Sequence, residues 1–175
     1  NGDSSVMASI LKVNTIQDAT NSTTAMSIDT SGVVTTPTRP VFRVKPSSEQ
    51  TIAHNTDTII QYDDKTSSEL FDIGGYFNTS NYRYVPQVAG YYCFTATIFV
   101  DAEASIGVVI RKNGTDEYQN RHNAESGDSF YPQVQVSGIL NMNGSSDYVD
   151  VRGVHVGGSN KDLSVDRHQS SFFGY

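Results

Sequence analysis

Between Gly90 and Val100 the chain alternates with a period of two: Tyr92, Phe94, Ala96, Ile98 and Val100 fall on one side, Tyr91, Cys93, Thr95, Thr97 and Phe99 on the other. A strand turns successive side chains to opposite faces, so this stretch folds as β and one of its faces belongs in a core. Ile106, Val108 and Ile110 repeat the alternation ahead of the hairpin-type turn Lys112-Asn113-Gly114-Thr115. A strand from about Gln133 to Leu140 leads through Asn141-Met142-Asn143-Gly144 into another from Tyr148 to Val156. There Val149 and Val151 share one parity and Val154 and Val156 the other, so Gly153 reads as a β-bulge. No stretch carries a helical stripe; Asp116 to Ser126, the most helix-like in composition, is polar all round and reads as a loop. Many short strands separated by Gly, Asn and Asp turns predict an all-β, antiparallel sandwich.

The organisation follows from where this pattern begins. Residues 1 to 8 read as an expression remnant and a start at Met7. Residues 9 to 40 read as an extended N-terminal arm or stalk, with sparse apolar positions at Ile10, Leu11, Val13, Ile16, Met26, Ile28, Val33 and Val34. So short a piece buries too little to fold alone, so it leans on its own head, a neighbouring subunit or a larger particle. Residues 41 to 175 form the head. Its expected core is Phe42, Tyr92, Phe94, Ile98, Val108, Ile110, Val149, Val151 and Phe172.

Charge and composition narrow the function. The net charge of -7 repels a phosphate backbone, which excludes nucleic acid as a partner. No apolar run approaches the roughly 20 residues that span a bilayer, and no basic amphipathic stretch docks on anionic lipid. Cys93 is the single cysteine, so no intrachain disulfide framework exists, as suits folding in a reducing cytoplasm. Its mid-strand place between Tyr92 and Phe94 reads as a buried, inert thiol.

Catalytic signals are absent. His54, His122, His155 and His168 lack ligand spacing, and neither a nucleophile elbow nor a phosphate-cradling glycine loop occurs. A jelly-roll glycan hydrolase would need paired carboxylates in a cleft, and no motif places them together. The acidic turns at Asp147 and Asp150, and at Asp101 and Glu103, are the places where Ca²⁺ could bind, but no twelve-residue calcium loop surrounds them. The expectation is no enzyme, no cofactor and no metal. Four Asn-x-Ser/Thr sequons, at Asn21, Asn78, Asn113 and Asn143, match what this Ser, Thr and Asn content yields by chance.

The order of landmarks in the head resembles the globular head of the complement C1q and tumour necrosis factor class. Pro40-Val41-Phe42-Arg43-Val44 is similar to its opening strand, and Thr58-Ile59-Ile60-Gln61-Tyr62-Asp63 to a strand closing on an acidic turn. Tyr82-Arg83-Tyr84-Val85-Pro86 precedes Gly90-Tyr91-Tyr92-Cys93-Phe94, which is similar to Gly-x-Tyr-x-Phe, and Arg111-Lys112-Asn113-Gly114 follows. Val136 to Leu140 and Asp147 to Val151 are similar to its paired strands, and Ser170-Ser171-Phe172-Phe173-Gly174-Tyr175 to its terminal strand. The resemblance implies a jelly-roll β-sandwich assembled as a homotrimer. The chain has no tryptophan and no collagen-like repeat, which sets it apart from the complement proteins. The arm resembles something else: Ser9 to Asp18 and Thr24 to Gly32 are similar to segments of structural proteins of marine bacteriophages.

These readings point to a bacteriophage virion structural protein, either a tail-fibre or spike tip in host-surface recognition or a capsid decoration or knob protein. Ten tyrosines exceed what one core needs, so outward aromatics on the strands become subunit contacts: Tyr91, Phe99, Phe173 and Tyr175. Exposed binding positions are expected at Asn78, Asn81, Tyr82, Tyr118, His122 and Asn160, within loops spanning Asn78 to Tyr82, Asp116 to Ser129 and Gly157 to Lys161. The partners would be other copies of the chain, other virion proteins and a host-surface glycan or protein. The alternative is a secreted, extracellular cytokine-like or lectin-like module of cellular origin.

Overall fold

A computed structural model describes residues 11–67, 69–100, 104–123, 132–165 and 169–175. The chain divides between Arg39 and Pro40 into two compact units.

The first unit is not the extended arm that its sparse apolar pattern predicts. Strands β1 (Thr15–Gln17), β2 (Thr24–Ile28) and β3 (Val34–Thr35) form an antiparallel meander. Its turns are closed by side chains: Asp18 Oδ1 accepts from the Thr20 and Asn21 amides, and Asp29 Oδ1 from those of Ser31 and Val33. Leu11, Ile16, Val33 and Val34 nevertheless remain exposed. Three short strands organise the backbone without burying their own apolar residues.

In the second unit the strands are β4 (Val41–Val44), β5 (Gln50–Ile52), β6 (Thr58–Ile59), β7 (Phe71–Ile73), β8 (Phe77–Asn78) and β9 (Arg83–Tyr84). They continue with β10 (Ala89–Phe99), β11 (Ser105–Lys112), β12 (Thr115–His122), β13 (Gln133–Asn143), β14 (Val149–Val156), β15 (Lys161–Leu163) and β16 (Ser171–Gly174). One sheet runs β13-β10-β16-β4-β7 and the other β12-β11-β14-β9-β8, with β6 beside β14 and β15 paired with β5. Every pairing between these strands is antiparallel.

Phe42, Tyr92, Phe94, Ile98, Val108, Ile110, Val149, Val151 and Phe172 all lie in the buried cluster between the sheets. Its centre is aromatic. Phe42 stacks on Tyr84 at 4.1 Å between ring centroids and meets Phe172 edge-on at 4.9 Å. Tyr62 also lies inside; its hydroxyl donates to the Thr97 carbonyl, and burial pushes its ionisation well above the ordinary range.

Several local readings are corrected. Thr115–His122 is strand β12, not a loop, so Tyr118 and His122 are strand residues. An edge strand at the rim of the core buries almost none of its side chains, and without a buried face no alternation appears in the sequence. Tyr118 is partly buried: its ring lies over Gly138, and its hydroxyl donates to the Ile139 carbonyl at 2.9 Å. Gly153 carries no bulge, because β11 and β14 pair in unbroken register from Lys112↔Val149 to Ser105↔Val156. The inward series runs 149, 151, 153, 155 and closes on buried His155, while Val154 and Val156 face outward. Gly153 is small because a Cβ would stand 2.8 Å from Ile60 Cδ1. Asn141 to Asn143 continue β13, and the reversal comes at Gly144, with φ of 70°.

Candidate functional site

The outer face of the β13-β10-β16-β4-β7 sheet stands out by its chemistry. Cys93 pairs with Ile139 on one side and exchanges both backbone hydrogen bonds with Tyr175 on the other, at 2.9 and 3.1 Å. One step beyond Gly174↔Phe42, Tyr175 comes level with Val41, which pairs with Ile73. One row across five strands is therefore Ile139, Cys93, Tyr175, Val41 and Ile73. The next is Ser137, Thr95, Phe173, Arg43 and Phe71.

These side chains alternate with the buried set, so they point away from the core. Tyr91 is 79 % exposed, Ile139 60 % and Tyr175 51 %, and Phe71 and Ile73 are exposed as well. Val41, Arg43, Phe71, Phe173 and Tyr175 line an apolar groove on this face. Polarity rises along the strands. Thr95 and Ser137 share a hydrogen bond of 2.8 Å, and then Thr97 and Gln135 follow. The charge on the face, Arg43, has a carboxylate partner in Glu69 at 3.8 Å.

Of the four expected contact residues, Tyr91, Phe173 and Tyr175 fall within neighbouring rows. Phe99 shares their face but lies at the far end of β10, about 27 Å along the strand from Tyr91. Cys93 is also corrected: it faces outward and is partly exposed rather than buried. Residues Val41, Phe71, Ile73 and Ile139 were missed. The signal for Ile139 was in the sequence, since the Ile139-Leu140 doublet interrupts alternation and marks a strand apolar on both faces. Phe71 and Ile73 occupy a three-residue strand, too short for a periodic signal.

The expected binding positions do not form one surface. Asn78, Asn81 and Tyr82 belong to the β8–β9 hairpin on one edge of the six-stranded sheet. His122 ends β12 on the opposite edge. Asn160 follows β14, and its Oδ1 accepts from the His54 amide at 3.3 Å. Residues 124–129 of the long expected loop, together with Asp101, Glu103 and His168, lie outside the described residues.

The acidic turn is built from protein groups. Asp147 accepts from Asn113 Nδ2 at 2.8 Å and the Asn143 amide at 3.0 Å, and pairs with Lys112 at 2.9 Å. These contacts hold its carboxyl below the ordinary carboxylate range, the Asn113 side chain contributing most. Asp150 is buried between Arg83 at 3.6 Å and Arg152 at 4.0 Å. Among the described residues no three His, Cys, Asp or Glu side chains group as metal ligands.

No protein-family model matches the chain, and no curated protein sequence does. Solved structures do. The globular domain of zebrafish complement 1qA is 16% identical, with a TM-score of 0.51 over 78% of this chain and 96% of that one. Murine APRIL at pH 5.0 is 15% identical, with a TM-score of 0.57 over 77% of this chain and 95% of that one. Murine APRIL at pH 8.5 gives 14% identity and a TM-score of 0.56 over 77% and 96%. Together with the two antiparallel sheets and their strand order, these likenesses establish the architecture: the head is a jelly-roll β-sandwich of the C1q and tumour necrosis factor type.

Proposed function

We propose that the protein is a non-enzymatic virion component of a bacteriophage, a homotrimer whose heads form the tip of a tail fibre or short spike and bind a glycan or protein of the host surface. The observation that carries the assembly is the outward face of Tyr91, Ile139, Tyr175, Phe71 and Ile73. Isolated exposed apolar side chains are ordinary, but five large ones on one face mark a contact surface. Covering what each leaves in water contributes on the order of 1 kcal/mol per side chain, repeated in every subunit. The threefold count comes from the C1q and tumour necrosis factor resemblance, and the phage assignment from residues 9–18 and 24–32. The exposed apolar residues of the meander fit a segment that reaches its stable state on a neighbouring subunit or particle. Synthesis in the host cytoplasm agrees with the single cysteine.

The test is adsorption. Purified protein is incubated with intact host cells and, separately, with phage particles that lack it. Saturable binding to cells is the expected result. Strong binding to particles with none to cells would refute the receptor-binding role in favour of capsid decoration.

A further inference from the structure

At the β7–β8 edge of the head a cavity of about 440 Å³ opens to solvent, lined chiefly by Tyr76, Asn78, Thr79, Val85 and Gln87. Its walls are unusually well fixed for a surface turn. The Asp72 carboxylate, 4% exposed, accepts from the Tyr76 and Phe77 amides at 3.0 and 3.1 Å and pairs with Lys65 at 2.9 Å. Gly74, with φ of 101°, lies beneath the Tyr76 ring, where a Cβ would stand 2.6 Å from Cε2. Only glycine allows that close approach and that backbone angle together. Tyr84 meets the ring edge-on at 6.4 Å. The ring is therefore held before any ligand arrives.

The polar groups are set in the same way. Gln87 Nε2 donates to the Val85 and Ser145 carbonyls at 3.1 and 3.3 Å, and its Oε1 remains an acceptor without a partner among the described residues. Asn78 Oδ1 accepts from the Ser80 amide at 2.9 Å, leaving Nδ2 as a donor. Thr79 adds a hydroxyl that can do either. All lining residues are uncharged, on a chain whose net charge is -7.

We infer that this cavity binds a neutral hexopyranose. An aromatic ring offers a flat apolar surface to the C–H face of a pyranose, while one amide acceptor, one amide donor and one hydroxyl match its vicinal hydroxyls. An anionic sugar would find no cation among the lining residues, the nearby Lys65 being held by the Asp72 carboxylate at 2.9 Å and the Phe77 carbonyl at 3.0 Å, and an unfavourable overall field. The assignment deepens the host-recognition reading and rests on it for its biological role. Three such sites on one particle would raise a weak single-site affinity through avidity.

The test is a ¹⁵N-resolved titration of the full chain with the methyl glycosides of glucose, galactose and mannose, and with methyl glucuronide as charged control. At least one neutral glycoside should shift the amides of Tyr76, Asn78, Thr79 and Gln87, and the glucuronide should not. Tyr76→Ala should weaken binding about tenfold. Thr79→Arg, which fills the cavity without touching Asp72 or Gly74, should abolish it. The inference is overturned if no neutral glycoside shifts these amides at high millimolar concentration, or if the glucuronide binds equally well. Full affinity in Thr79→Arg would overturn it too. If the glycosides fail while the protein still adsorbs to host cells, this site is wrong and host recognition stands. If they bind here but cells do not adsorb the protein, the site stands and the receptor role falls.

Discussion

Phe94→Ala tests the interior of the sandwich. Phe94 is fully buried in the middle of β10, with ring centroids of Tyr84, Tyr92, Phe172 and Phe42 at 5.9, 6.0, 6.0 and 6.3 Å. Truncating a buried phenylalanine costs about 3–5 kcal/mol, the spread reflecting how far the site collapses. Collapse is restricted here. Tyr84 comes from the opposite sheet, Phe42 and Phe172 belong to two further paired strands, and beyond Phe94 the rings are tied by Phe42–Tyr84, Phe42–Phe172 and Tyr84–Tyr92 contacts. A value of about 4 kcal/mol follows, which lowers the melting temperature by roughly 10 to 15 °C for a chain of this size. Calorimetry at one fixed protein concentration measures it, because assembly makes the melting point depend on concentration. Phe94→Leu should recover a large part of the loss. A Phe94→Ala melt coincident with that of the unmodified protein would show that the strand has been read inside out.

Three further outcomes follow from other parts of the molecule. Gly138→Val should destabilise by about 1–3 kcal/mol in urea unfolding, because a Cβ there would stand 2.1 Å from Tyr118 Cδ2 and force the ring off the rim of the core. His155 is buried with Nε2 on the Ile52 carbonyl at 2.9 Å, and burial, with lesser help from His54 and Lys161, holds its pKa below the ordinary 6.5. The unfolded chain then binds the proton more readily than the folded one, so stability is full above pH 6.5 and falls on acidification from there towards the folded pKa; His155→Gln should flatten that slope in melts taken from pH 7 to pH 5, and an unchanged slope would refute the assignment. Asp72→Ala should release the Tyr76 and Phe77 amides and raise hydrogen exchange at residues 74–78 far more than in β10, whereas uniform exchange would show that the turn holds itself.

The long strands were legible because each has a fully buried face. Ala89–Phe99 could be placed from alternation alone, and the core residues read from it lie inside the sandwich. Legibility failed where a strand lacks that face or fills it with an unexpected residue. β12 is polar on both sides, and β14 ends its inward series on glycine and histidine, so the apparent change of parity at Gly153 was the absence of apolar side chains rather than a bend. The apolar outer face was half legible. Tyr91, Phe173 and Tyr175 announce themselves as aromatics in excess of a core, whereas Ile73 and Phe71 join them only through strand pairing, β4 with β7, across about thirty residues of chain. The Tyr76 cavity depends on Gly74 lying beneath the ring and on Asp72 capping the Tyr76 and Phe77 amides, a tertiary arrangement that no spacing rule encodes.

The central claim, that the outer face of the five-stranded sheet joins three heads, is tested most directly by the mass of the protein in solution. Light scattering during size exclusion at micromolar concentration should give three times the 19.1 kDa of the single chain. Ile139→Asp, which places a carboxylate at the β13 end of that row, beside Cys93, should return 19.1 kDa with the melting curve of a folded head. An unmodified protein that elutes as a clean monomer, or an Ile139→Asp variant that remains a trimer, would contradict the account.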